Sequence, residues 1–452
     1  MATTSDENTP IAPSPDEPLG NIADASAAPL VAPLVAPLVA PSSTSEHQGS
    51  AWRVMRNRDY SLLFWGQLIS AAGTQIQVVA VAWQVYQITN SAIALGVIGL
   101  VQAIPRLIFS LIGGVVADAY DRQRLLIIVN IILAALSAVL ALTTALHVIN
   151  VGVIYVVVLL AAVASSFEFP TRQAIIPTLV PREQMADALS ISMVLMELTF
   201  VVGSAAGGFI IAWVQLANTY WIDVVSYVVV IGALIAMTVP RIPVEKRAQA
   251  GFGALADGMR FLRGRPIILA VLSLDFVANF FGSPRALLPV YAASILHAGA
   301  AGLGVLQAAT SLGAVALAPL TGRIGRIRQQ GMGVAVAIIV WGLCIVAFGF
   351  STGPLLLSAL FLAGAGAADM VSMVLRGVII QLTTPDELRG RISAVNAMFV
   401  VGGPMLGQFE SGVVAGAFAS PVFSAVSGGV GCIIATIAVV ALVPGLLRVR
   451  VK

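Results

Sequence analysis

The stretch Gly113-Gly-Val-Val-Ala-Asp118-Ala-Tyr-Asp121-Arg122-Gln-Arg124 joins two long apolar runs of the chain. Its glycines allow two helices to approach each other closely, and its charges follow at once where the first apolar run stops. An acid at a helix end with bases beside it can pair with a neighbouring helix in one conformation and release it in another. We therefore interpret this stretch as a conformational latch, made of Gly114, Asp118, Asp121, Arg122 and Arg124.

The composition on both sides of this stretch is that of a membrane protein. The chain is 58% hydrophobic and only 10% charged, with a mean hydropathy of +0.96, whereas soluble proteins carry about 25% charged residues. A membrane-spanning helix needs about 20 apolar residues, so a dozen of them use nearly all of the 452 residues. No soluble catalytic domain fits beside them.

The apolar runs predict an all-α membrane protein with twelve spans. The expected spans are 61–87, 92–118, 124–147, 150–172, 187–212, 218–239, 267–296, 301–321, 331–350, 354–380, 391–417 and 421–447.

Basic residues sort to alternate loops between these spans. Of the 24 Lys and Arg residues, all but Arg106 and Arg285 fall on one side. Because loops rich in Lys and Arg stay in the cytoplasm, both termini are predicted to be cytoplasmic, in a bacterial-type inner membrane. The net charge is only +3 and the sequence pI about 9.1, and the bases are scattered, which argues against a nucleic-acid partner.

The two halves of the chain repeat. The segment from Arg172 to Glu183 parallels the segment from Arg376 to Glu387 at an offset of about 204 residues, and Pro181 and Pro385 keep that offset. Two six-helix bundles in the same orientation, related by an axis along the membrane normal, are therefore predicted. Such bundles can rock about a site at their interface.

Four segments follow from this organisation. Residues 1–52 are rich in Pro, Ser, Thr and Ala, and repeat Ala-Pro-Leu-Val three times, which predicts a disordered cytoplasmic tail. Residues 53–239 are the first bundle and residues 267–452 the second. Residues 240–266 are a cytoplasmic linker that is expected to carry a short amphipathic helix.

Several motifs together resemble one transporter family. They are the Gly-x-x-x-Asp118 stretch with its bases, Ala82-Trp-Gln-Val-Tyr86, Pro170-Thr-Arg172, Leu287-Leu-Pro-Val-Tyr-Ala292 and Leu388-Arg-Gly-Arg-Ile392. This combination resembles the major facilitator superfamily, in particular its enterobactin-exporter-like and macrolide-efflux-like branch. The resemblance implies the fold of that superfamily and a second inner loop that uses Arg389 and Arg391. It also implies that spans one, four, seven and ten line a central cavity.

Ionisable residues inside apolar runs are costly and mark functional sites by default. At about 1.5 Å of rise per residue, Arg106, Glu197, Asp275 and Asp369 lie at similar depths near the middle of the membrane. Glu197 is the first candidate for a proton carrier because its own span is otherwise apolar, and Asp275 and Asp369 are its rivals. Arg106 is expected to be a counter-ion, and the alternative for all four is a set of structural pairs.

Other polar groups have simpler interpretations. Glu168 precedes Arg172 by one helical turn and is expected to pair with it, whereas Arg285 either snorkels outward or pairs with Glu410. Asp223 is expected to anchor a helix end. Candidates for contact with substrate in span one are Gln67, Thr74, Gln75 and Gln77.

These observations predict a secondary active transporter and exclude several classes. The sequence carries no Walker-type nucleotide motif, metal-binding motif or nucleophile–base cluster, so an ion gradient or the substrate's own gradient must drive it, and no enzyme activity, cofactor or metal is expected. We expect a monomer that uses a proton gradient to export a siderophore, drug or other amphipathic molecule by alternating access. The alternatives are a lysophospholipid or lipid flippase, and a transport-dead membrane sensor.

Overall fold

The computed structural model of the chain describes residues 51–239, 260, 262, 264–385 and 389–449. Most of the predicted tail and linker therefore lies outside the described residues. The long helices in the described part are α1 Arg58–Thr89, α2 Ala92–Ala119, α3 Arg122–Ala145, α4 Val151–Leu179, α5 Met185–Val214, α6 Leu216–Ala236, α7 Pro266–Phe281, α8 Gly299–Leu317, α9 Gln330–Phe350, α10 Leu355–Thr383, α11 Arg389–Ala417 and α12 Pro421–Leu442.

These helices confirm a multi-pass membrane protein. Within the described residues, nine helices are long and apolar enough to cross a membrane, and two shorter apolar segments, Leu198–Val214 and Pro266–Phe281, add to them. Successive long helices run in opposite directions, so the arginine-bearing turns collect at one end of the bundle, which we call the basic end. The opposite end, with short turns such as Asn90-Ser91, is the neutral end.

The two halves interlock through glycines. The second helix of each half packs on the fifth helix of the other, α2 on α11 and α8 on α5. A Cβ atom at Gly208 would lie 2.6 Å from the Cα of Gly304, and one at Gly412 would lie 2.6 Å from the Cα of Gly96. Without a hydrophobic force between helices in lipid, such close backbone contact is what holds them together. Gly208 and Gly412 thus allow the backbones of helices from opposite halves to touch.

The seventh predicted span is not one helix, contrary to the sequence-based expectation of an unbroken run over 267–296. The helix α7 ends at Phe281, and helical structure resumes only at Leu288–Val290 and in the π-turn Tyr291–Ile295. Pro284 cannot continue the hydrogen-bonding pattern of a helix. The indole of Trp341 donates to the carbonyl of Gly282 across 3.2 Å, so a backbone group exposed by the break is satisfied.

Asp223 is not a helix-end anchor. It lies in α6 with no exposed surface, between α1 and α3. The Ser137 hydroxyl is 2.8 Å from Asp223 Oδ2 and 2.7 Å from Gln77 Oε1, and the Ser226 hydroxyl is 3.2 Å from Asp223 Oδ1. Gly73 leaves the space that this cluster needs, because a Cβ there would lie 2.3 Å from Ser226 Oγ. A polar cluster therefore joins three helices of the first half.

We predict that this cluster needs a polar group at position 223 but not a charge. Asp223→Asn keeps a side chain of the same shape that accepts from Ser226 and donates to Ser137, so the melting temperature in detergent should stay close to that of the wild type. Asp223→Ala removes the side-chain acceptor that Ser137 and Ser226 share, and because each lost hydrogen bond costs about 0.5–1.5 kcal/mol, it should lower the melting temperature. Equal losses in both variants would show that the carboxylate charge itself is required.

Candidate functional site

In the second half, one arginine is shared by two acids. Arg376 Nη2 lies 2.7 Å from Asp275 Oδ1 and 3.7 Å from Asp369 Oδ1. Its Nη1 donates to Ser372 Oγ across 3.0 Å, and Asn279 Nδ2 donates to Asp275 Oδ1 across 3.0 Å. The structure thus brings together two of the acids that the sequence placed at one depth, Asp275 of α7 and Asp369 of α10. We call Asp275, Asp369 and Arg376 the charge triad.

The two acids of the charge triad have different surroundings. The side chain of Asp275 is 5% exposed, whereas that of Asp369 is 40% exposed. Among the described residues, Asp275 Oδ2 is buried with no hydrogen-bond partner. Asp275 is therefore fixed by its short contact with Arg376, and Asp369 is the acid that solvent or a ligand reaches.

Sequence analysis missed Arg376 because it counted this residue among the bases at the helix ends. Arg376 is 7% exposed and lies within α10, seven residues before its end at Thr383, or about 10 Å at 1.5 Å per residue. The sequence did contain a signal for this pairing in the spacing of Asp369 and Arg376. Asp369 and Arg376 are seven residues apart, which places them on one face of a helix two turns apart.

The first half carries a related cluster with the opposite balance of charge. Arg172 Nη1 donates to Gln67 Oε1 of α1 across 2.9 Å, and its guanidinium lies 5.5 Å from the ring centre of Phe169. Glu168 interacts electrostatically with both Arg172 and Arg106. Glu168 is thus within electrostatic reach of Arg172, with which it was expected to pair, and of Arg106.

The clusters of the two halves correspond under the internal repeat. Arg172 and Arg376 are equivalent positions, and each reaches the first helix of its own half, at Gln67 or at Asp275. In the first half one acid lies between two arginines, and in the second half one arginine lies between two acids.

Arg285 lies in the break of the seventh span with an exposed side chain, which is consistent with the expectation that it snorkels outward. Among the described residues, the acid that interacts electrostatically with it is Asp369, not the Glu410 of the alternative expectation. Asp369 is therefore near two guanidinium groups.

The latch stretch is docked within the first half. Asp121 Oδ1 caps α3 by accepting from the backbone nitrogen of Arg124 across 3.0 Å. Arg122 Nη1 donates to the carbonyl of Ala174 in α4 across 2.7 Å, and Gln123 Nε2 donates to the carbonyl of Leu234 in α6 across 2.6 Å. The stretch thus ties α3 to two neighbouring helices at the basic end.

The remaining predicted residues fall into two groups. Of the span-one candidates, Gln67, Thr74 and Gln77 bond within the first half, and Gln75 packs beside Gly203 of α5, at which a Cβ would lie 2.8 Å from Gln75 Cβ. Predicted site residues whose side chains lie outside the described part are Gly114, Asp118, Glu197, Arg389 and Arg391.

Comparison with known proteins agrees with this architecture. A family model described as a transmembrane secretion effector matches residues 49–448. The chain belongs to this family of the major facilitator superfamily. Its members are transporters, so the chain is a membrane transporter and not, by family, an enzyme.

Relatives of the transmembrane secretion effector family cover most of the chain. The enterobactin exporter EntS of Citrobacter koseri is 26% identical over 392 residues, which are 86% of this chain and 93% of that exporter. The multidrug efflux pump Tap of Mycolicibacterium fortuitum is 26% identical over 367 residues, 79% of this chain and 89% of the pump.

A solved structure shows the same fold at lower identity. A bacterial homologue of the human lysosomal transporter Spinster, in an inward-facing and unoccupied conformation, matches 91% of this chain and 100% of its own. The TM-score is 0.66 at 13% sequence identity.

We predict that Arg376 and Asp275 are energetically coupled. Arg376→Gln leaves two acids without their shared cation, and removing one partner of a buried pair costs about 3–5 kcal/mol. The double variant Asp275→Asn/Arg376→Gln removes both charges, so it should melt at a higher temperature than Arg376→Gln alone. Arg182→Gln, at an exposed position, is the control and should leave the melting temperature unchanged. Additive losses in the double variant would contradict the coupling.

Proposed function

We propose that the chain is a proton-coupled exporter of an amphipathic small molecule that works by alternating access. The observation that carries this proposal is the charge triad, in which two carboxylates share one guanidinium and only one of them is exposed. An ionisable cluster inside a transporter bundle is where a coupling ion is expected to act. The names of the relatives, an enterobactin exporter and a multidrug efflux pump, support export of a siderophore or drug.

The charge triad suits proton exchange because its charges can be rebalanced by a single proton. With Asp275 and Asp369 both ionised, Arg376 compensates only one of them. A proton on Asp369 leaves the short contact between Arg376 and Asp275 intact, and its loss returns a negative charge that Arg376 and Arg285 attract. Binding of a proton from outside therefore weakens the attraction of Asp369 for two arginines, one of which lies in the break of the seventh span. Glu197, the first candidate from the sequence, is the alternative carrier.

Alternating access is supported by where the two halves meet. Tyr86 Oη of the first half and Ser294 Oγ of the second are 2.6 Å apart, and Gln408 Nε2 lies 3.4 Å from the carbonyl of Leu95. These groups and the glycine contacts lie towards the neutral end. We propose that this end is closed in the present conformation and opens when the halves rock.

The loop residues have a place in the same scheme. We propose that Asp118 with its neighbours Gly114, Asp121, Arg122 and Arg124, and the second-half residues Arg389 and Arg391, stabilise one conformation at the basic end. By the distribution of bases, this end faces the cytoplasm of a bacterial-type cell and holds both termini. We propose that the tail ends at residue 52 and that the two bundles and the linker have the boundaries predicted from the sequence. We also propose that one monomer contains the whole transport pathway.

The first experiment tests coupling. A pH gradient is imposed across inverted membrane vesicles, and the uptake of candidate siderophores and dyes into the vesicles is measured. Uptake is compared for wild type, Asp369→Asn, Asp275→Asn and Glu197→Gln. We expect Asp369→Asn to reduce pH-driven uptake at least tenfold while retaining substrate binding, because the neutral amide imitates the protonated acid.

A matched control removes a buried carboxylate elsewhere. Asp223→Asn lies outside the charge triad and should transport at the wild-type rate with the same pH dependence. If Asp369→Asn keeps the wild-type pH dependence and Glu197→Gln loses it, the proton carrier is Glu197. If none of the three variants changes the pH dependence, proton coupling is wrong.

The second experiment tests movement at the neutral end. In a chain whose Cys344 and Cys432 are replaced, Tyr86→Cys and Ser294→Cys place two thiols across the halves, and a short, cleavable bifunctional thiol reagent that spans the space left by the tyrosine ring should stop transport reversibly. The control pair Gln84→Cys and Thr144→Cys replaces groups 3.0 Å apart within the first half and should transport after treatment with the same reagent. Full transport by a chain cross-linked between 86 and 294 would rule out opening at this end.

A further inference from the structure

A long apolar groove runs along the outside of the second half, between α9 and α10. Its volume is about 530 Å³, within the range of about 300–1,000 Å³ for ligand pockets. Met332, Val336 and Val340 form one wall, and Gly364, Val371 and Leu375 form the other. Glycines and alanines leave the space between these walls, and Gln329 is the only polar residue of the described lining.

The length of the groove matches one leaflet of a bilayer. On α9 the lining runs from Gln329 to Val340, and on α10 from Leu375 to Gly364, which is about 17 Å on each helix at 1.5 Å per residue. The hydrocarbon core of a bilayer is about 30 Å thick, so the groove extends from the basic end to about the midplane. Its shape is that of an extended hydrocarbon chain.

Three arginines lie in the turn at the basic-end limit of this groove. Arg323, Arg326 and Arg328 are exposed in the turn between α8 and α9, and the groove residues Ile327 and Gln329 adjoin Arg326 and Arg328 in the chain. The sequence has no acidic residue between Asp275 and Asp369. Asp386 and Glu387 lie outside the described residues, and Arg326 has an interaction within the chain. Arg323 and Arg328 are therefore the two bases that remain for a ligand.

We propose that this groove binds an anionic phospholipid, with one acyl chain along α9 and α10 and the phosphate at Arg323 and Arg328. The basic end faces the leaflet in which anionic lipids attract clustered bases, each base contributing about 1 kcal/mol. A zwitterionic lipid offers the same acyl chain but no net charge to the arginines. A transported drug would need no base at the mouth and no groove confined to one leaflet.

The experiment measures lipid retained by the whole purified protein. The protein in mild detergent is titrated with phosphatidylglycerol or with phosphatidylcholine of identical acyl chains, and bound lipid is counted by native mass spectrometry. The wild type should prefer phosphatidylglycerol. Arg323→Gln/Arg328→Gln should lower that preference by roughly thirtyfold, since two bases are lost. Val336→Trp should reduce binding of both lipids, because the indole fills the groove.

Matched controls separate a site from a general surface effect. Arg53→Gln/Arg56→Gln removes two exposed bases from another turn of the basic end, and Val225→Trp adds an indole to an exposed position of α6. Both should bind lipid as the wild type does. The proposal is wrong if Arg53→Gln/Arg56→Gln lowers the preference as much as Arg323→Gln/Arg328→Gln does. It is also wrong if Val336→Trp retains as much lipid as Val225→Trp.

Discussion

A guanidinium group buried among apolar helices has to be paired, and the arrangement around Arg376 follows from this requirement. Taking an ion out of water costs several kcal/mol, which only close and well-oriented partners repay. Asp275 gives Arg376 a contact of 2.7 Å from the neighbouring helix α7, and Ser372 occupies a second nitrogen. The position of α7 against α10 is thus tied to one ion pair. Asp369, at 3.7 Å and partly exposed, shares the same cation and is the acid that we propose carries the proton.

The internal repeat has kept this architecture while changing its charge. Arg172 and Arg376 are equivalent, yet Arg172 meets the amide of Gln67 where Arg376 meets the carboxylate of Asp275. The cluster in the first half has an excess of arginine and attracts anions, whereas the cluster in the second half has an excess of acid and attracts cations. Because the halves touch through bare glycine backbones, such as Gly208 against Gly304, a small change in attraction near the break of the seventh span can be transmitted without unpacking a large side-chain interface.

The helical membrane fold could be predicted from hydropathy, spacing of bases and the repeat, because lipid forces every backbone group into helices. The estimated depth of each residue in the membrane also predicted that Asp275 and Asp369 lie at a similar level. Sequence could not show which cation they share, because pairing depends on rotation of the helices, and Arg376 had been counted among the bases at the helix ends. The break was missed although Gly282 and Pro284 interrupt the apolar run, because the residues on both sides of them were assigned to one span. Asp223 was placed at a helix end because linear distance says nothing about the Ser137 hydroxyl that α3 brings to it.

We propose that the charge triad gives up a proton when substrate binds. The direct measurement is proton release from purified protein in weakly buffered detergent, followed with a pH indicator as a transported compound is added. The wild type should release protons in proportion to the sites filled, and Asp369→Asn should bind the compound without releasing any. Undiminished proton release by Asp369→Asn would contradict the account.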